Sequence, residues 1–172
     1  MASTPRRTVV AEPFDGGRWS PFGWVPLRDD DPADGRSRLD FQWGDAHVNL
    51  IRHRRDEVPE TDRGLVCEMM FHHQSHTQAL LVLNCRAVVA VAPPGADLVG
   101  GDASGVRAFL LEPLDRLVLH RGTWHWGPFP VAEERVDLYN VQGRRYAEDN
   151  TCADLAAAGH AVEIVTRPGP AA

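Results

Sequence analysis

Two short segments of the chain concentrate side chains that transfer protons and bind metals. One spans residues 71–78 and leads into an apolar stretch, and the other spans residues 117–126 around an Arg-Gly turn. Their histidines are His72, His73 and His76 in the first segment, and His120 and His125 in the second. Imidazole is the side chain best suited to proton transfer near neutral pH and to binding transition metals. Two such segments that meet inside one fold would form a site.

The first segment carries polar residues directly ahead of a strand-like run. Residues two apart on a strand share a face, so Gln78 shares one with His76, Leu80 and Val82. A polar patch that leads into an apolar strand is typical of the mouth of a small β-barrel, although a solvent-facing strand end has the same pattern. His73 has the opposite parity, and it reaches that face only through a turn or bulge near residues 74–77.

The second segment places two histidines on either side of a tight turn. His120 ends a strand-like run, Arg121-Gly122 makes the turn, and His125 begins the return. Histidines beside a turn are often merely exposed, but the aromatic residues nearby favour a walled pocket. We expect Trp124 to contact a ligand there.

Composition limits the class of protein. The formal charge of −6 and the isoelectric point near 5.7 argue against a nucleic-acid partner. The longest apolar runs are too short to span a bilayer, and no apolar segment of a secretory signal follows the first arginines. The three cysteines lack metal-ligand spacing, which predicts reduced thiols in a cytoplasmic protein.

All basic residues are arginines, so the sequence excludes a catalytic lysine or a lysine Schiff base. The guanidinium group binds carboxylates through two parallel hydrogen bonds. Arg52 and Arg107 are therefore candidates to hold a substrate carboxylate near the mouth of the site. The alternative is that both are surface residues on strand edges.

Short strand-like runs separated by turn residues predict an all-β sandwich or barrel. The runs are residues 39–43, 47–52, 64–71, 78–83, 87–92, 106–111, 116–119, 136–141 and 161–165. Helical periodicity is weak and confined to residues 16–21 and 152–159. One domain over residues 1–172 is expected, with flexible tails at 1–7 and 166–172.

The chain resembles the ureidoglycolate lyase family of the cupin superfamily along nearly its whole length. The matching elements, in order, are Trp19–Val25, His73 with Gln78-Ala79-Leu80, Arg107-Ala108-Phe109, Leu119–His125 and Asp149–Cys152. The His-x-Gly-x-Trp-His pattern of residues 120–125 is the most specific of these. The chain departs from the family pattern at Phe71, where a glutamate is usual, and at His76, where a small residue is usual.

This resemblance implies an all-β cupin double-stranded β-helix barrel with few short helices, a homodimer and no membrane association. It also implies a lyase that splits ureidoglycolate, a small carboxylate, into glyoxylate and urea during allantoin degradation in purine catabolism. Histidine acid–base chemistry would come from His73, His120 and His125, while Gln78 orients the substrate.

Two other interpretations use the same residues. His73, His76, Gln78 and His125 could bind a divalent metal (Zn, Fe, Mn or Ni), as in a divergent isomerase, dehydratase or oxygenase of specialised metabolism. A non-catalytic cupin that binds a small ligand is the third interpretation. Metal analysis and turnover assays distinguish the three.

Overall fold

A computed structural model describes residues 6–26, 37–42 and 46–166. Within these residues the chain forms short strands, one helix and two 3-10 turns at Arg55–Glu57 and Ala103–Gly105. The strands are β1 Arg7–Val10, β2 Glu12–Pro13, β3 Gly23–Trp24, β4 Ala46–Arg54, β5 Glu60–Thr61, β6 Gly64–Cys67, β7 Met69–His73, β8 Gln78–Val82, β9 Ala87–Ala92, β10 Arg107–Leu111, β11 Arg116–Leu119, β12 Trp124–Pro130, β13 Arg135–Gly143, β14 Asn150–Asp154 and β15 Val162–Val165. The helix, α1, spans Gly16–Trp19. The expectation of an all-β, cupin-like fold with few short helices is confirmed.

The strands form three sheets. A five-stranded sheet has the order β3-β11-β8-β13-β4, and a six-stranded sheet has the order β14-β7-β12-β9-β10-β2. A four-stranded sheet, β1-β15-β6-β5, covers the outer face of the six-stranded sheet. Most pairs are antiparallel, and β1 with β15 and β10 with β2 are parallel.

Strand β9 shows how the layers are packed. All six of its residues are buried. Val89 and Val91 pack in the core between the five- and six-stranded sheets, whereas Val88 and Ala90 pack against the four-stranded sheet. Because successive strand residues point to opposite faces, a continuous apolar run is what a strand between two cores requires.

The aromatic segment of residues 14–24 packs into the core between the five- and six-stranded sheets. Asp15 caps α1 by accepting hydrogen bonds from the backbone of Gly17 and Arg18. The buried Trp19 packs edge-on against Phe109 and donates from Nε1 to the carbonyl of Val118. Strand β3 then pairs with β11 and extends the five-stranded sheet.

Several expected boundaries are wrong. Residues 152–159 were expected to be helical, but β14 pairs with β7 and is followed by turns, because tertiary pairing outweighs weak helix propensity. Of the expected strand 39–43, Phe41 forms only an isolated bridge to His76, and residue 43 lies outside the described residues. Arg7 belongs to β1, and the Thr166 amide donates to the carbonyl of Arg63, so these two residues of the expected tails are part of the fold. Residues 1–5 and 167–172 lie outside the described residues.

The three cysteines differ in access to solvent, which gives a testable result. Cys67 and Cys85 are buried and Cys152 is exposed, while desolvation raises the pKa of all three thiols. Because a reagent must reach the sulfur, we expect one thiol to react rapidly with a thiol reagent in the native protein and three in denaturant. Rapid modification of Cys67 would contradict this packing.

No helix in the described part of the chain is long and apolar enough to cross a membrane.

Candidate active site

A cavity of about 370 Å³ opens between the five-stranded and six-stranded sheets. This volume falls within the roughly 300–1,000 Å³ typical of small-molecule sites. The cavity is lined by Ile51, His53, Phe71, His73, Gln78, Leu80, His125, Trp126, Gly127, Phe129, Leu138, Tyr146, Ala147 and Asn150. Its walls combine a group of histidines with a larger apolar surface.

The chain reverses between β7 and β8, and this reversal brings His73 and Gln78 to the same cavity. Residues 74–77 form the bend that the parity of His73 required, so this expectation is confirmed. His72 points the other way and packs against Trp124, with ring centroids 4.2 Å apart.

Hydrogen bonds from the turn between β11 and β12 connect the two histidine segments. The Gly122 amide donates to the carbonyl of His73 at 2.7 Å. Gly122 has a φ of 77°, which glycine adopts without strain. The Arg121 guanidinium donates to the Gln74 carbonyl and to the Asp40 carboxylate. Arg121 therefore has a structural role at the edge of the site.

His73 and His125 face each other inside the cavity. Their ring centroids are 5.3 Å apart, and both side chains are buried. Burial, together with repulsion from His125 and His76, lowers the pKa of His73 to about 3. Burial lowers the pKa of His125 to about 4. Both imidazoles are therefore neutral at pH 7 and available as proton acceptors.

One ring nitrogen of His125 is committed to the backbone. Its Nδ1 lies 3.2 Å from the carbonyl oxygen of Thr123, which can only accept a hydrogen bond. This contact favours the tautomer with the proton on Nδ1. Nε2 then carries the lone pair that can accept a substrate proton.

His76 is held by a buried carboxylate. Its Nδ1 lies 3.2 Å from Oδ2 of Asp149, and its ring stacks on His73 with centroids 4.4 Å apart. Asp149 also accepts hydrogen bonds from the amides of Gln74 and Ser75 and from the Ser75 hydroxyl. Burial lowers the pKa of His76 although Asp149 opposes this shift. One carboxylate thus fixes both the bend and the orientation of His76.

A narrow cleft lies beside the main cavity and has no room for a water molecule. It is lined by His73, His76, Gln78, Leu119, His120, Thr123 and His125. The sequence-predicted residues His73, Gln78, His120 and His125 therefore come together there. His120 lines this cleft and not the main cavity.

Gln78 is oriented by a chain of amides. Its Nε2 donates to Oδ1 of Asn140, and Asn140 donates in turn to Asn49. The Gln78 amide oxygen, Oε1, is buried and has no hydrogen-bond partner among the described residues. This oxygen is therefore free to accept a hydrogen bond from a substrate hydroxyl or ureido group.

Arg52, Arg107 and Trp124 do not line the cavity, which corrects their expected position. Arg52 lies on the outer face of β4 and pairs with Asp137 at 2.7 Å. Arg107 pairs with Glu12 and lies over the ring of Phe109. Trp124 packs in the outer core and donates to the carbonyl of Ala96. Among the residues that the structure describes, no arginine lines the cavity.

Sequence reasoning missed four polar residues of the site. His53, Tyr146 and Asn150 line the cavity, and Asp149 supports it from behind. His53 lies one residue from Arg52 and therefore on the inner face of β4, with its Nδ1 2.8 Å from the carbonyl oxygen of Pro128. The alternation of β4 gave no signal for His53, because the apolar residues Val48 and Leu50 lie on the outer face of the strand.

A comparison of the chain with known protein families identifies the family to which it belongs. The model of the family described as ureidoglycolate lyase matches residues 28–163, which include both histidine segments and the strands that form the cavity. The chain belongs to the ureidoglycolate lyase family. It is therefore an enzyme of the lyase class with a ureidoglycolate lyase-like cupin fold. No curated protein matches the chain significantly.

The donor atoms of this ureidoglycolate lyase family member also fit a divalent metal. His73 Nδ1, His76 Nε2 and Gln78 Oε1 are buried without hydrogen-bond partners among the described residues. Ligand atoms of His73, His76 and Asp149 lie within 4.8 Å of one another. A carboxylate behind a histidine is the usual support of a metal-binding imidazole.

The lowered histidine pKa values predict that the protein loses stability in mild acid. Because His73 and His125 bind protons more weakly when folded, the unfolded chain takes up more protons below about pH 6.5. The free energy of unfolding should then fall with pH by up to about 1.4 kcal/mol per pH unit for each histidine. Urea unfolding at pH 7.5 and at pH 5 measures this loss. His125→Gln should reduce the pH dependence relative to the wild type, and an equal dependence in the two proteins contradicts the prediction.

Proposed function

We propose that this protein cleaves ureidoglycolate into glyoxylate and urea by histidine acid–base chemistry. One observation carries the proposal. His73 and His125 are buried neutral imidazoles from neighbouring strands, and their ring centroids lie 5.3 Å apart across one cavity. Family membership supplies the reaction class, and this pair supplies groups that can move its protons.

The reaction needs one proton removed and one delivered. A base takes the proton of the substrate hydroxyl, the carbonyl of glyoxylate forms, the carbon–nitrogen bond breaks, and the urea nitrogen takes up a proton. His125 Nε2 is suited to accept the hydroxyl proton because Nδ1 is held by the Thr123 carbonyl. The imidazolium that forms is a strong acid in this buried site, so the proton moves readily to the leaving nitrogen.

The substrate carboxylate favours this proton transfer. A negative charge brought into the cavity stabilises a nearby imidazolium and raises the pKa of His73 and His125 from their low values. Such a shift moves both groups toward the pKa at which general catalysis is most effective. With Arg52 and Arg107 engaged elsewhere, the groups suited to contact the carboxylate are His53, Tyr146 and Asn150.

Incubation with ureidoglycolate tests the proposal directly. Glyoxylate should form faster than the spontaneous rate, and the assay is run with and without added divalent metal and after chelation. Absence of enzyme-dependent glyoxylate under every condition overturns the proposed function.

As an alternative to metal-free acid–base chemistry, we propose that a divalent metal (Zn, Fe, Mn or Ni) is held by His73, His76 and His125, with the Gln78 oxygen, in which case these histidines would be ligands and not proton acceptors. Such an ion would supply a Lewis acid at the hydroxyl and carboxylate of the substrate. Support comes from the buried donor atoms without partners and from Asp149 behind His76. Elemental analysis of protein purified without a nickel column, paired with activity after chelation, tests it. Full activity in metal-free protein would overturn it.

We also propose that the enzyme is a cytoplasmic homodimer that acts in allantoin degradation within purine catabolism. Three unpaired cysteines are consistent with a reducing compartment.

Val48, Leu50 and Tyr139 lie exposed on the outer face of the five-stranded sheet, where β4 forms an edge. Sedimentation should give a dimer at micromolar concentration, and Leu50→Arg should weaken it. A wild-type monomer at that concentration contradicts the dimer.

A further inference from the structure

Apart from His53, Tyr146 and Asn150, the cavity wall beyond His73, Gln78 and His125 is apolar, and the proposed reaction does not use this apolar part. His73, Gln78 and His125 cluster where β7 ends and where β8 and β12 begin. Further along these strands and on β4, the wall is formed by Leu80, Phe129 and Ile51. Trp126 adds to it, with its ring centroid 4.6 Å from that of Phe129.

Ureidoglycolate leaves such a wall without a partner. Its carboxylate, hydroxyl and ureido group are all polar, so any part of it placed against Leu80 or Phe129 loses hydrogen bonds to water and gains none. Asn140 is already bonded to Gln78 and Asn49, and His53, Tyr146 and Asn150 are assigned to the substrate carboxylate in the proposed function. The wall therefore matches an apolar substituent better than a terminal amino group.

We propose that the preferred substrates are N-acyl-α-hydroxyglycines that carry an apolar or aromatic acyl group in place of the carbamoyl group of ureidoglycolate. This inference rests on the proposed function and keeps its chemistry. The α-hydroxyl loses its proton as the carbonyl of glyoxylate forms. The bond between the α-carbon and nitrogen breaks, and the nitrogen takes up a proton to leave as an amide. No oxidant or other reactant is needed.

The two ends of the substrate then meet matching parts of the cavity. The α-carbon and its hydroxyl lie beside His73, His125 and the free oxygen of Gln78. The acyl group extends along the barrel toward Ile51 and Phe129, where apolar area is removed from water. A carboxylate at the α-carbon still stabilises the imidazolium, so both substrate types share the acid–base step.

The test compares two substrates with the wild-type protein through a common product. Ureidoglycolate and N-benzoyl-α-hydroxyglycine both release glyoxylate, which one coupled assay detects. We expect kcat/KM for the benzoyl compound to exceed that for ureidoglycolate by about tenfold, the lower end of what a fitted apolar group contributes in a pocket. A ratio near or below one overturns the inference and leaves the proposed function intact. Glyoxylate from neither substrate overturns both.

A matched pair of variants locates the preference in the wall. Ile51 is partly buried, so both replacements are compatible with folding. Ile51→Val removes one methylene and should lower the benzoyl-to-ureidoglycolate ratio by up to about fourfold, whereas Ile51→Thr also places a hydroxyl against the acyl group and should lower it further. Equal ratios in the two variants would overturn the assignment of this wall to the acyl group.

Discussion

Replacement of His125 with Ala lowers kcat for glyoxylate formation by at least about a hundredfold, and replacement of His73 does the same. A general acid or base contributes roughly 10²–10⁴-fold to the rate, and both residues line the cavity where the proton must move. The loss should appear mainly in kcat, because the interaction develops as the proton is transferred. Initial rates over a range of substrate concentrations separate kcat from KM.

His72 provides the matched control for this experiment. It is adjacent to His73, but its ring packs against Trp124 outside the cavity. His72→Ala should therefore keep kcat within about threefold of the wild type, since it touches no reacting group. Circular dichroism checks that each variant is folded. Retention of more than about a tenth of wild-type kcat in a folded His73 or His125 variant would contradict the assigned roles.

Replacement of Asp149 with Ala destabilises the fold by about 3 kcal/mol or more. The buried carboxylate accepts hydrogen bonds from the amides of Gln74 and Ser75, and its loss leaves two donors unsatisfied at roughly 1–3 kcal/mol each. His76 also loses its only hydrogen-bonded carboxylate among the described residues. Urea unfolding at pH 7.5 measures the loss.

Glu148→Ala is the control for Asp149→Ala. Glu148 precedes Asp149, is exposed and pairs only with Arg145 among the contacts described, so its removal should leave the free energy of unfolding nearly unchanged. Asp149→Asn should fall between the two, because an amide oxygen can accept only part of the hydrogen bonds. Equal stability of the Asp149→Ala and Glu148→Ala proteins would contradict the role of Asp149 in the bend.

The histidine site could be predicted from the sequence because its geometry is local. Gln78 shares a face with the buried Leu80, and the bend after His73 corrects the parity of that residue. His120 and His125 are held together by their own turn. The resemblance to the ureidoglycolate lyase family covered nearly the whole chain, and the family match confirms the family over residues 28–163, a range that does not include Trp19–Val25.

The face of β4 could not be predicted because its hydrophobic pattern is misleading. Val48 and Leu50 are 51% and 69% exposed, while Asn49, Ile51 and His53 turn inward. Alternation alone would place the apolar residues Val48 and Leu50 inside the fold, and Arg52 would then face the cavity with them. The strand instead turns its other face inward, so His53 and not Arg52 faces the cavity. Pairing with β13, which sets the register of β4, is a long-range contact.

Residues 152–159 show a second limit of local reasoning. The alanine-rich sequence Ala153–Ala158 favours a helix, yet Asn150–Asp154 extends the six-stranded sheet beside β7. This pairing brings Asn150 opposite His73 and places Asp149 behind His76. The position of the Asp149 carboxylate therefore depends on β14, a strand that local helix propensity did not predict.

The nitrogen-containing product of ureidoglycolate turnover tests the central claim most directly. A lyase breaks the bond between the α-carbon and nitrogen, whereas hydrolysis of the ureido group releases ammonia and carbon dioxide. The measurement is the amount of urea, ammonia and glyoxylate formed by the wild-type protein in a urease-free assay. The account predicts urea and glyoxylate in equal amounts without ammonia, and the appearance of ammonia in place of urea would contradict it.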